Sequence, residues 1–147
     1  MNAVHSENED GSDTMRFICL GYADQSKFQT MDEQELQRMM EECMAYDDVL
    51  RDNGHFAGGE ALVDASLAKT LRFRSGGVQA TDGPYAETKE QIGGILILEA
   101  DSMEHAVELM SKHPGVRIGP FEIRPADPQI NAIVAERDRM HRANRNR

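Results

Sequence analysis

Two segments of this chain are apolar on both sides of a strand, and that pattern limits the folds open to it. In Gly93-Gly94-Ile95-Leu96-Ile97-Leu98-Glu99, and in Arg16-Phe17-Ile18-Cys19-Leu20-Gly21-Tyr22, apolar residues occur at successive positions. Because successive side chains of a strand point to opposite faces, both faces of such a sheet must leave water. Two amphipathic helices accompany these strands. The first is expected to open at a capping box, Thr30-Met31-Asp32-Glu33, and to stop at Gly54, with Leu36, Met39, Met40, Cys43, Tyr46, Val49 and Leu50 as its apolar stripe. The second opens at Asp101-Ser102-Met103-Glu104, stops at His113-Pro114-Gly115, and is expected to bury Met103, Ala106, Val107 and Met110. Two helices cover one face of a sheet. The other face, left apolar, is an association surface, so the pattern predicts a homodimer through the face opposite the helices.

Between the helices the chain carries three further strand signals. His55 to Leu62 is a glycine-weakened strand. Thr70-Leu71-Arg72-Phe73-Arg74 and Val78-Gln79-Ala80-Thr81 alternate apolar with polar around Ser75-Gly76-Gly77, the pattern of a hairpin. A last strand is expected over Val116 to Arg124, and a short helix or tail over Ile130 to Met140. The order strand, helix, strand, hairpin, strand, helix, strand predicts an α+β chain, ferredoxin-like with an added β-hairpin. With 147 residues there is length for one such domain, expected over residues 15–128. Residues 1–14 are expected to be a disordered acidic extension and 129–147 an Arg-rich helix or tail.

Charge narrows the partners. The net charge is −10, with four acids and no base in residues 1–14, a balance of −9 over residues 15–128, and +3 over residues 129–147. An acidic body offers no basic stripe to a polyanion, which argues against nucleic acid as the main partner. The longest apolar run, Ile95 to Leu98, is far shorter than a bilayer span of roughly 20 residues, and the acidic start lacks the apolar core of a signal peptide. The expected compartment is the cytoplasm, with Cys19 and Cys43 as reduced thiols.

Chemistry-bearing residues crowd into the connection Asp82-Gly83-Pro84-Tyr85-Ala86-Glu87-Thr88-Lys89-Glu90-Gln91-Ile92-Gly93-Gly94. Asp82 is a candidate general base or ligand anchor, although Asp before Gly-Pro is also what a turn needs. Tyr85 is a candidate donor to a substrate oxygen, or an aromatic ring over a sheet edge. His113, at an element end, is a candidate acid–base group that also suits a helix cap. Arg72 and Arg74 share one face of the hairpin, where they can receive a carboxylate, and Glu87 is a candidate binding residue on the loop. His55 is expected to cap the first helix, and His105 to be exposed. No short metal-ligand spacing and no nucleotide-binding loop occur, so neither metal nor cofactor is expected.

The run from Asp82 to Gly94 closely resembles the signature of the DGPFAETKE proteins, a branch of the YCII-related family, with Tyr85 where Phe is usual. The likeness extends over residues 15–126, through Gly54 to Leu62 and through Gly119-Pro120-Phe121-Glu122-Ile123-Arg124-Pro125. The resemblance implies a dimeric α/β barrel in which two ferredoxin-like sheets face one another. It also implies a choice of functions, because some relatives are encoded beside extracytoplasmic-function sigma factors and a few are lyases or dehydrochlorinases using a His and Asp pair. In this chain the family's helical His falls near Cys43 and its loop Asp at His113, so both positions depart from the pattern. The function expected is a lyase or isomerase acting on a small organic molecule near the Asp82 loop, with Asp82, Tyr85 and His113 as its reactive groups. The alternative is a non-catalytic ligand-binding or regulatory dimer, with a sigma factor as candidate partner.

Overall fold

The computed structural model describes residues 6–7 and 13–147. The elements run β1 (Ser6–Glu7), β2 (Asp13–Asp24), a one-turn helix α1 (Ser26–Gln29), α2 (Glu33–Asp52) and β3 (Phe56–Ala61). After a 3-10 turn at Ala65–Leu67 come β4 (Lys69–Arg74), β5 (Gly77–Asp82), β6 (Glu90–Ala100) and α3 (Met103–Ser111). A second 3-10 turn, Pro114–Arg117, leads to β7 (Phe121–Pro125) and α4 (Pro128–Arg145).

The main sheet is antiparallel throughout, in the order β7-β2-β6-β3, with β1 paired to the start of β2. This is the ferredoxin-like α+β arrangement, and β4 and β5 form the added hairpin as a separate two-stranded sheet. The hairpin turns on Ser75 and Gly76, both at positive φ (52° and 78°), the backbone that matches a two-residue loop to strand twist.

The pleat sorts the double-sided strands as their sequences require. Phe17 and Cys19 of β2 and Leu96, Leu98 and Ala100 of β6 point to the helices, where they enclose one core with Leu50 of α2 and Ala106 and Met110 of α3. Their alternates Ile18, Leu20, Ile95 and Ile97 lie side by side on the other face, in the register Ile18 with Ile97 and Leu20 with Ile95, and stay half-buried. The hairpin leaves Leu71, Phe73 and Val78 exposed, and α4 buries none of its residues.

Several expected local details differ. The first long helix is capped by Asp32, whose carboxylate accepts from the Glu35 amide at 2.8 Å. Thr30 instead closes α1, its hydroxyl donating to the Lys27 carbonyl at 2.9 Å, so the cap lies two residues after the expected box. β2 starts at Asp13, three residues before the strand expected from Arg16 and two before the expected domain start, because Asp13 and Thr14 pair with β1. The remainder of the acidic extension, residues 1–5 and 8–12, lies outside the described residues. Val116 and Arg117 belong to a 3-10 turn, since Pro114 and the His113 cap bend the chain before β7. Met103 and Val107 are exposed, because the short α3 packs through the narrow pair Ala106 and Met110. His55 caps α2 through its backbone amide, which donates to the Leu50 carbonyl at 2.8 Å, while its ring turns away and its Nδ1 donates to the Glu99 carbonyl at 2.8 Å, tying the loop to β6. His105 is half-buried, accepting from the Asp101 amide at 3.0 Å.

Candidate functional site

His113 follows α3 and caps the 3-10 turn that Pro114 begins. Its Nδ1 accepts the Gly115 amide at 3.0 Å, so the ring proton sits on Nε2, which donates to Asp47 Oδ1 at 3.0 Å. The ring stands edge-on to Tyr46 and Phe121, with centroids 5.5 and 5.4 Å away. Gly115 is part of this construction: a Cβ there would lie 3.0 Å from His113 Nδ1 and 3.0 Å from Phe121 Cζ. His113 has an 8% exposed side chain, whereas that of Asp47 is 25% exposed. The imidazole is thus held on both nitrogens, and among the described residues Asp47 Oδ2 is the oxygen left to meet a ligand.

Asp47 opens into a cleft of about 920 Å³ between α2 and the sheet, into which His113 also faces. Its walls are mainly apolar, with Phe28, Leu36, Met39 and Met44 on one side and Phe56, Leu96 and Phe121 on the other. Tyr22, Gln25 and Cys43 add polar groups. The Cys43 thiol is pushed up by burial and then by the charges of Asp47 and Glu42, which keeps it protonated. Tyr46 donates to the Leu109 carbonyl at 2.5 Å and so locks α2 to α3 at the turn that carries Asp47. Among the described residues no cluster of three His, Cys, Asp or Glu side chains is placed to hold a metal ion, and no helix is long and apolar enough to cross a membrane.

The residues singled out in the Asp82 connection lie elsewhere. Asp82 is 84% exposed and pairs with Lys69 Nζ at 2.5 Å. Tyr85 is 82% exposed, beside the Arg72 guanidinium at 5.6 Å from its ring centroid. Arg72 also donates to Thr81 Oγ1 at 3.1 Å, and Arg74 and Glu87 are exposed. Asp82 and Glu87 border an open depression of about 610 Å³, which contains neither Tyr85 nor His113. Within one chain, therefore, Asp82, Tyr85 and His113 do not converge. The connection is stitched to itself and to its surroundings: Gly83 donates to the Ala68 carbonyl at 2.7 Å, and Gln91 Nε2 donates to the carbonyls of Ala86 and Thr88. Lys89 reaches the buried carboxylate of Asp24 at 3.6 Å.

The YCII-related domain family matches residues 15–128, the whole ferredoxin-like unit with its hairpin. The chain belongs to the YCII-related family. It is also 30% identical over 115 residues to an uncharacterised protein of Rhizobium meliloti (strain 1021), covering 76% of this chain and 91% of that one. In this YCII-related protein a carboxylate and an imidazole from distant segments bond to one another. The helix carries the acid, Asp47, one turn beyond Cys43, and the loop carries the imidazole, His113. Sequence reasoning passed over Asp47 among the acids of α2. Its signal was position: Asp47 lies four residues after Cys43 and three before Leu50, on the apolar stripe itself, where an unpaired charge is costly.

Proposed function

We propose that this YCII-related protein binds a small organic molecule in the cleft between α2 and the sheet and acts on it by acid–base chemistry of lyase or isomerase type. One observation carries the reading: a carboxylate held by a buried imidazole faces an apolar cleft large enough for a small molecule. Asp47 takes a proton from a carbon acid at Oδ2 and returns it to the product or to a leaving group. His113 positions the carboxylate through Oδ1, and Tyr22 and Gln25 stand in the same cleft as donors to a developing oxyanion. The Asp82 connection serves this reading as a structural strap: Asp82 pairs with Lys69, the Tyr85 carbonyl accepts from Arg72, and Gln91 donates to the Ala86 and Thr88 carbonyls. The test is proton exchange in D2O with a panel of 1,3-dicarbonyls and β-hydroxy carbonyls. Native protein is expected to speed exchange of the acidic C–H and Asp47→Asn to lose it. Equal exchange in both, or none with the native chain, would sink the catalytic reading.

A non-catalytic ligand-binding dimer, with a sigma factor as a candidate partner, is the second reading. What favours it is unpartnered apolar surface in three places: the β2–β6 face of Ile18, Leu20, Ile95 and Ile97, the hairpin residues Leu71 and Phe73, and Ile130 and Ile133 of α4. A two-stranded hairpin alone is marginally stable, and a second copy of the sheet and hairpin would cover what one chain leaves open.

A further inference from the structure

We propose that the cleft between α2 and the sheet selects apolar molecules carrying a cationic amine, and disfavours organic acids. The inference rests on reading this cleft as the ligand site and adds the charge class of the ligand.

Every ionised side chain lining the cleft is an acid: Asp47, Glu60 and Asp64. No Lys or Arg lines it among the described residues. Lys27, Arg38 and Lys112 adjoin Phe28, Met39 and His113 in sequence but do not line the cleft, and Arg117, Lys89 and Arg51 are engaged with Glu42, with Asp24, and with Asp48 and the ring of Phe56. His113 cannot turn to receive an anion without giving up the Gly115 amide or Asp47. Hydrogen bonds from Ser66 hold the Asp64 carboxyl below the usual carboxylate range, so that acid stays charged. Glu60 and Asp64 are exposed and screened by water, but Asp47, three-quarters buried between apolar walls, is screened less, so a carboxylate entering the cleft meets repulsion while an ammonium meets Asp47 Oδ2.

The chain contains no Trp, so an indole probe can be followed by its own fluorescence. Tryptamine, tryptophol and indolepropionate share one apolar ring and differ in charge. Titrated into the native protein, tryptamine is expected to bind at least tenfold more tightly than indolepropionate, with tryptophol between them and a blue-shifted emission. Asp47→Asn is expected to narrow the amine preference at least threefold. Glu60→Gln, at an exposed position, gives the same comparison should the Asp47 variant fail to fold. Indolepropionate binding as tightly as tryptamine would overturn the charge class and leave the cleft reading standing. No emission change with any of the three at millimolar concentration would overturn the cleft reading itself. A tryptamine preference untouched by the substitutions would place the attraction in the overall charge of −10 rather than in the cleft, and would also overturn the inference.

Discussion

A double-mutant cycle on Asp47 and His113 measures the contact on which the site depends. His113→Ala removes three kinds of interaction. The Nε2–H to carboxylate bond is charge-assisted, worth about 1.5–3 kcal/mol in general, and the partial exposure of Asp47 places it near the lower end. The Gly115 amide loses its acceptor, at about 1 kcal/mol. Edge-on packing against Tyr46 and Phe121 adds about 0.5–1.5 kcal/mol for each ring. The expected cost is about 3–5 kcal/mol. Asp47→Ala costs less, about 1–3 kcal/mol, because it leaves one buried donor unpaired and the rings in place. The double variant should cost less than the sum of the singles by about 1.5 kcal/mol, since the bond is counted twice in the sum. Urea unfolding at fixed protomer concentration reads all three, with slopes of roughly 1–3 kcal/mol per molar turning these costs into midpoint shifts of about a molar or more for His113→Ala and about 0.3–3 molar for Asp47→Ala. Additivity of the two substitutions within about 0.5 kcal/mol would refute an energetically formed Asp47–His113 pair.

Three further outcomes are expected. Gly119→Ala should cost about 3 kcal/mol or more in the same urea assay, because its Cβ would lie 1.8 Å from the Tyr22 carbonyl oxygen, a backbone atom that cannot swing aside; a loss below about 1 kcal/mol would contradict that contact. Asp24 is held below the ordinary carboxylate range, first by the Ser26 hydroxyl, so its stabilising contribution is present above the ordinary Asp pKa near 3.8 and fades as acid carries the pH down through the folded value. Ser26→Ala should therefore flatten the fall in urea midpoint between about pH 5 and pH 3, and an unchanged acid profile would count against the assignment. Ile97→Lys, on the half-buried sheet face, should give aggregation or unfolding if that face joins two copies; sedimentation of the native chain as a monomer at micromolar concentration would sink the dimer.

Much of the fold is local and could be read along the chain. The alternation of Phe17 and Cys19 with Ile18 and Leu20 determined which side chains share a face, because the strand period is two, and only packing decided that Phe17 and Cys19 meet the helices. Ser75-Gly76 determined a tight hairpin, and Ser102 accepted the His105 amide as a cap should. Where two local signals competed, geometry chose: Thr30 and Asp32 both suit a helix start, and the one-turn helix α1 claimed Thr30. The site was of another kind. His113 and Asp47 stand 66 residues apart, and nothing in either segment names the other. Their pairing follows from the way α2 and α3 share one sheet face, from the Tyr46 bond to Leu109, and from a turn at Gly115 with no room for a side chain. In the same way, the density of polar groups from Asp82 to Gln91 marked a strap whose groups bond to one another, because composition counts functional groups without saying where they point. Periodicity is a property of neighbouring residues, so the sequence determined the elements and which side chains share a face. The meeting of an acid and an imidazole at the mouth of an apolar cleft is a property of packed elements, and only the tertiary structure decided it.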